Sequence, residues 1–433
     1  MLRVAAAGCY SINHPGEEAE IAAAAAALRA LSPGIEITVF TQNTKQTSRV
    51  PGVRAASWWN PFAVIYTILR SDIVLSCGAN SLKDTEGIGR LISHLLIIFT
   101  ARLFGKPVAS YAQGVGPLES RSGRRLVRFI CDRFDLITVR NQASKDKLLK
   151  IGVERPPIVV TADPVFAFNP AQFDKETGHS LMEKIRSEAS QKEQLDKERL
   201  DEEQMDEEKT AIKAAADFMG KGADTEEGEE EEPEKDKKPL LGVVLQELEG
   251  NRQYKSAVAS TADRLAREGW EILLLPFKYP ADIQVCQEVS WLMQEPSLQN
   301  RERLSLEHLF SLIGEVDMLL GMRLPALIMA SVMRKPCIGI ATNSKTAKFL
   351  KAIEQPEAVK LEDLDSGSLY QLIASTYEKK KEISSHLDQV LPQLRQQSWE
   401  SAGLILSCFY SRFPHKRYGT TRIKRPEKPG RTI

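Results

Sequence analysis

The chain has 433 residues, with 58 basic and 58 acidic side chains and a formal net charge of zero at pH 7. That length holds two ordinary domains, each able to bury its own core. The balance argues against a whole-protein field that would capture nucleic acid or anionic lipid. Only the basic end, HKRYGTTRIKRPEKPGR after Pro414, leaves a weak peripheral contact with a membrane surface or polyanion open.

The opening MLRVAAAGCY is too short in apolar residues for a secretion signal and reads as a first strand over residues 3–7. A turn-rich loop, GCYSINHPGEE, follows, then an alanine-rich helix over 19–31 stopped by Pro33 and Gly34. Strands are expected at 35–41, 72–76, 107–112 and 135–139, with helices around 87–104 and 123–134. Apolar strands separated by helices imply a parallel sheet covered on both faces, a Rossmann-like lobe spanning residues 1–173. The helix after Gly87 carries Arg90, His94 and Arg102 in its apolar run, so it is buried or interfacial rather than membrane-spanning. His94 reads as a core histidine.

From 174 to 238 the composition shifts to runs such as DEEQMDEEK and EEGEEEEPEKDKK, with almost no aromatics. Such a stretch buries too little surface to offset its ordering entropy, and is expected to be a disordered or partly helical insertion or linker. The alternation resumes over 239–412, with strands at 240–245, 271–275, 316–320 and 337–340, before a basic tail at 413–433. The fold class is therefore α/β, two Rossmann-like lobes facing across a cleft lined by the carboxyl ends of their strands. Six cysteines, at 9, 77, 131, 286, 337 and 408, form no CxxC pair and no spacing that suits zinc. They point to a reducing, cytoplasmic compartment and to no metal site.

The strand-end loops hold the candidate chemistry. Gly16 permits a tight turn before a helix start, while Glu17 and Glu18 read equally well as site residues or as charged caps. In SCGANSLKDTE, Asp84 is placed to hold a sugar hydroxyl or act as a base, and in YAQGVGP Gln113 is placed to bind a hydroxyl. Both loops also read as plain turns. Arg140 and Arg323 each follow a buried strand, one in each lobe, and their planar forks suit an anion clamp across the cleft.

Taken together these stretches resemble the polysaccharide pyruvyl transferase family, in its CsaB type. GCYSINHPGEEA is similar to the family's GYYGFNNLGDEA, agreeing at Gly8, Tyr10, Asn13, Gly16, Glu18 and Ala19. SCGANSLKD keeps Ser76, Gly78, Leu82 and Asp84 of SGGGSLLQD; AQGVGP and ADPVF are intact, and VRD is Val139-Arg140-Asn141. The resemblance implies a fold similar to GT-B and transfer of pyruvyl from phosphoenolpyruvate to a sugar diol of a cell-surface polysaccharide, as a ketal, without a cofactor. The partners it implies are that donor and a glycan or lipid-linked acceptor, with no nucleic acid.

The family's GMRLHALI supplies an arginine for the anion and a histidine as acid. Here the arginine is Arg323 and the histidine position is Pro325. The family's PFHxxxD is PFKYPAD, with Lys278 for histidine and Asp282 kept, and its YDPK is Thr342 to Lys345, TNSK. A helix start tolerates the proline. By resemblance, Arg323, Lys278 and Asp84 are the catalytic candidates, with Lys278 the nearest replacement acid; Arg140, Asn13, Glu18, Gln113 and Asp282 are the substrate contacts. Two other readings stay open: a catalytically weak homologue that binds a sugar nucleotide or glycan precursor, and a glycosyltransferase on the same scaffold.

Overall fold

The computed structural model describes residues 1–8, 14–78, 81–85, 87–191, 194–195, 238–248 and 250–413. Asn13 and most of the charged stretch lie outside the described residues. The first lobe has seven strands: β1 (Arg3–Ala7), β2 (Glu36–Thr41), β3 (Val53–Ser57), β4 (Ile73–Ser76), β5 (Val108–Gln113), β6 (Leu136–Val139) and β7 (Ile158–Val160). Their order is β3-β2-β1-β4-β5-β6-β7, all parallel.

Alternate residues of the central strands feed two cores. Ala5, Ala7 and Val74 pack under the helices Pro61–Arg70, Ile88–Leu103 and Arg121–Cys131. Val4, Ala6 and Leu75 pack on the other face against the helix Pro15–Leu31. The sequence reading missed β3 and β7 because edge strands bury less: β3, VRAAS, is weakly apolar, and β7, IVV, is only three residues long.

The second lobe repeats the plan with β8 (Leu240–Val244), β9 (Glu271–Leu274), β10 (Leu298–Gln299), β11 (Met318–Gly321), β12 (Cys337–Ala341) and β13 (Val359–Lys360), in the order β10-β9-β8-β11-β12-β13. Strand order reverses between β1 and β4 in one lobe and between β8 and β11 in the other. Such switch points open crevices at the carboxyl ends of strands, where ligands of these folds bind. Among the described residues, no helix is long and apolar enough to cross a membrane.

Three of the expected boundaries move. The first lobe ends near Asp163 rather than 173, because Phe166, Phe168 and Phe173 pack into the core of the second lobe, Phe173 stacking on Phe310 at 4.1 Å between ring centroids. The insertion does not begin at 174: residues 175–191 are helical, and Met182 and Ile185 sit in that same core. Their spacing, with Leu181, is a short apolar stripe that the surrounding charge concealed. Residues up to 412 do not all belong to the second lobe either. The last helix, Lys380–Arg412, crosses back, so that Ile405, Leu406 and Phe409 share a core with Leu2 and Val4. Polar contacts reinforce the return: Thr161 and Ser401 hydroxyls lie 2.8 Å apart, and Arg412 donates to Asp135 at 2.6 Å.

The helix of 175–191 makes a distinguishing expectation. Met182→Ala lowers the unfolding free energy by about 2–5 kcal/mol, as for a buried side chain, measured from the denaturant midpoint. A residue of a solvated linker would change it by less than about 0.5 kcal/mol.

Candidate active site

In the second lobe, β11 delivers Gly321 and the buried Met322, and Arg323 caps the helix Leu324–Val332. The helix begins at Leu324, so Pro325 sits one residue inside it, still in the turn whose N–H groups lack intrahelical partners. Beyond β9, the PFKYPAD loop turns back so that the Asp282 carboxylate, only 1 % exposed, accepts the Lys278 backbone N–H at 2.7 Å. The same carboxylate takes two hydrogen bonds from the Arg323 fork, one from Nε at 2.6 Å and one from Nη2. Asp282, expected as a substrate contact, is held by Arg323 and the Lys278 backbone and aims the Arg323 fork. Such a two-point pair fixes the guanidinium plane while leaving its remaining N–H donors for a ligand.

The first lobe supplies the opposite wall. His14 precedes the helix Pro15–Leu31, and its carbonyl accepts the N–H groups of Glu17 and Glu18 at 2.9 and 3.2 Å. Its ring stands edge-on to Phe277 of the other lobe, with centroids 6.1 Å apart. A Cβ on Gly16 would lie 2.7 Å from both Cβ and Cγ of Pro325 and 3.2 Å from His14 Nδ1. The two helix starts thus meet at Gly16 and Pro325, with the His14 imidazole beside them. His14 Nδ1 is buried and has no hydrogen-bond partner among the described residues. Burial, then the charges of Arg323, Lys278, Lys83 and Arg90, lower the His14 pKa to about 4.

The structure reassigns most of the remaining candidates. Arg140, expected in an anion clamp, is paired with the protein's own carboxylates: Glu20 takes Nη2 at 3.0 Å and Asp163 takes Nη1 at 2.5 Å. Burial raises the Glu20 pKa against the pull of Arg140. This ion pair ties β6, the helix Pro15–Leu31 and the crossover at ADPVF together, which gives that motif a structural role.

Gln113 is fully buried and spent: Oε1 accepts from Ser76 Oγ at 2.7 Å, and Nε2 donates to the Gly78 carbonyl at 2.6 Å and to Ser81 Oγ at 2.9 Å. It braces the loop after β4 instead of meeting a hydroxyl. His94, also fully buried, is bonded to Ser76 at 3.0 Å, as a core histidine should be.

Asp84 is likewise committed. Its carboxylate accepts the backbone N–H groups of Glu119 and Ser120 at 2.8 and 2.9 Å and the Ser120 hydroxyl at 2.6 Å, pinning the start of the helix Arg121–Cys131. Burial works against its charge, but the hydrogen bonds from Ser120 and Glu119 outweigh this and hold the pKa below the usual carboxylate value, the wrong direction for a base. Glu18 does face the cleft, 3.8 Å from Arg303 of the other lobe, with its pKa raised by burial.

Of the expected residues, the structure brings Arg323, Lys278 and Asp282 to one site, and adds His14, Lys83 and Arg90. Sequence reasoning passed over these three because the fold of the first lobe gathers them and only the closure of the lobes sets them against Arg323 and Lys278. The available signal was that each lies in a loop or helix start following β1 or β4. If Asp84 is a cap, Asp84→Ala lowers stability by about 0.5–2 kcal/mol. A thermal or denaturant melt reads this directly, and an unchanged melt with lost turnover would return Asp84 to the chemistry.

The chain matches the sequence model of the family described as "Polysaccharide pyruvyl transferase" over residues 15–344. In fold it is similar to a putative UDP-N-acetylglucosamine 2-epimerase from Listeria monocytogenes, with a TM-score of 0.62 at 12% identity over 96% of this chain and 98% of that one. S. aureus MnaA in its UDP co-structure gives 0.59 at 13% identity over 96% and 97%. Anabaena HepE in complex with UDP and glucose gives 0.58 at 13% identity over 94% and 100%. At such identities these likenesses establish the architecture, that of the GT-B fold, and nothing finer. The sequence match, by contrast, runs through both helix starts, the Arg323 turn and the Asp282 loop, and the chain belongs to the polysaccharide pyruvyl transferase family.

Proposed function

We propose that the protein transfers the pyruvyl unit of phosphoenolpyruvate to two hydroxyls of a sugar as a cyclic ketal, releasing phosphate, with His14 as the acid that Pro325 cannot be. The observation that carries this reading is the unpartnered His14 imidazole at the meeting of the two lobes, facing Arg323 and Lys278. Phosphoenolpyruvate brings a carboxylate and a phosphate, and the cations of both lobes, with the N–H groups of two helix starts, suit that pair of anions. Arg323, held in plane by Asp282, takes the carboxylate.

The proton goes from the imidazolium to the methylene carbon, whose double bond supplies the electron pair, leaving positive charge on C2. A sugar hydroxyl adds there and returns its proton to the imidazole. The second hydroxyl then displaces phosphate, which leaves with that hydroxyl's proton, so that the diol provides both protons and the residue ends as it began.

The depressed pKa of His14 fits this role once a ligand is considered. In the empty site the four cations, added to burial, keep the ring neutral above about pH 4. A bound anion offsets those cations and raises the ring's proton affinity, so donor binding charges the acid. Phosphoenolpyruvate binding near pH 6 should therefore take up protons, measured by calorimetry in buffers of different ionisation enthalpy, and His14→Gln should remove the uptake. His14→Gln should also lower kcat by about 10²–10⁴-fold, with a small change in KM.

A second reading gives the proton to Lys278, which shares the site. It requires the reverse pattern, with Lys278→Met abolishing turnover and His14→Gln nearly silent. Phosphate release from phosphoenolpyruvate, assayed with lipid-linked and nucleotide-linked sugars as acceptors, is the common readout. The UDP-bound structural neighbours are the reason to include the nucleotide-linked ones. Binding without turnover by wild type on every acceptor would leave the weak-homologue reading standing.

A further inference from the structure

Three neighbouring helices of the first lobe, Pro61–Arg70, Ile88–Leu103 and Arg121–Cys131, cover the same face of its sheet. Their inner residues, among them Ile68, Leu91, Leu95 and Val127, fill the core. Their outer residues do not turn polar. On the first helix Phe62 is 82% exposed and Tyr66 58%, with Trp59 just ahead of it at 69%. On the second, Ile92, Leu96 and Leu103 form an outward stripe, Leu96 58% and Leu103 69% exposed. Phe129 on the third helix continues the ridge, its ring 6.1 Å from that of Phe99. A continuous apolar ridge across three packed helices is far from the scattered exposure that ordinary surfaces show.

The charges on these helices are all of one sign. Together they contain seven arginines and no aspartate, glutamate or lysine. Arg121, Arg125 and Arg128 are exposed on the third helix and Arg70 ends the first, while Arg133 lies over the Phe129 ring at 3.6 Å. In a chain of zero net charge this is a local excess.

We propose that this face docks on an anionic lipid bilayer, with the aromatic and leucine side chains seated at the headgroup level and the arginines on lipid phosphates. The composition is that of an interfacial surface, apolar and aromatic side chains with arginine in excess of acid, Asp132 just past the third helix pairing with Arg128 at 4.0 Å. A second copy of the chain fits less well, because self-pairing sets arginine against arginine. The chain's own residues 196–237 are rich in acid but offer few apolar side chains to cover the ridge. The middle helix starts close enough to the candidate site for Arg90 to act on His14, so the docked face and the cleft adjoin. The inference stands apart from the reaction proposed for that cleft.

Flotation of the full chain with phosphatidylcholine vesicles, with and without added phosphatidylglycerol, tests it. Binding is expected only to the anionic vesicles, and weakened by salt. Two double variants separate the components: Leu96→Ser with Leu103→Ser, and Arg121→Ser with Arg125→Ser. All four side chains are exposed, so melting temperature should hold within a few degrees while binding weakens about tenfold or more in each variant. No flotation of wild type with anionic vesicles overturns the proposal. So does flotation that neither pair weakens, and so does a wild-type dimer in light scattering that the Leu pair dissociates without any vesicle binding.

Discussion

The approach of Gly16 to Pro325 sets the geometry on which the rest depends. Two helices from opposite lobes point their first turns at each other, and a single Cβ on Gly16 would collide with the proline ring. Only glycine on one side and a compact ring on the other allow this distance. Because the contact closes the lobes, it brings His14 onto Phe277 and into the field of Arg323 and Lys278, which lie far away in sequence. The return of the last helix onto the first lobe and the stacking of Phe173 on Phe310 hold the same closure from the opposite side.

Within that frame charges divide into those that are used up and those that face the cleft. Arg140 is surrounded by carboxylates, Asp84 by hydrogen-bond donors, and Gln113 by partners at both ends of its amide. Each helps to hold a strand-end loop. Asp282 shows the intermediate case: it neutralises part of the Arg323 charge and in return fixes the direction of its fork. Burial of the carboxylate makes the pair costly to break, so the arginine is held ready rather than searching rotamers.

The loss of histidine at 325 looks different in this light. An imidazole at that position and one at 14 would compete for the same small space beside Gly16. The chain has its ring on the first lobe, at His14, and its proline on the second, at Pro325, with Gly16 between them. The neutrality of the whole chain hides a second polarisation of the same sort. Exposed arginines and aromatics of three first-lobe helices share one outer face, and the acidic excess is concentrated between 196 and 237.

What the sequence by itself determined was the periodic part. Buried parallel strands such as IVLS and MLLG announce themselves as apolar runs, and the loops at their ends follow from the order of elements. Arg323 stood out as a strand-end arginine, and Lys278 and Asp282 through the resemblance of PFKYPAD to the family's motif; the structure puts Arg323 and Asp282 in contact. Edge strands were not legible, being short and half-buried, nor were the crossover at Asp163 and the helix of 175–191, whose burial comes from a partner lobe that local composition cannot reveal. The tertiary structure alone decided which polar groups are spent and which are available. Asp84 and His14 are both polar residues in turn-rich loops, and sequence favoured the first. The difference is that folding gives Asp84 three hydrogen-bond donors and leaves His14 Nδ1 buried with no partner among the described residues.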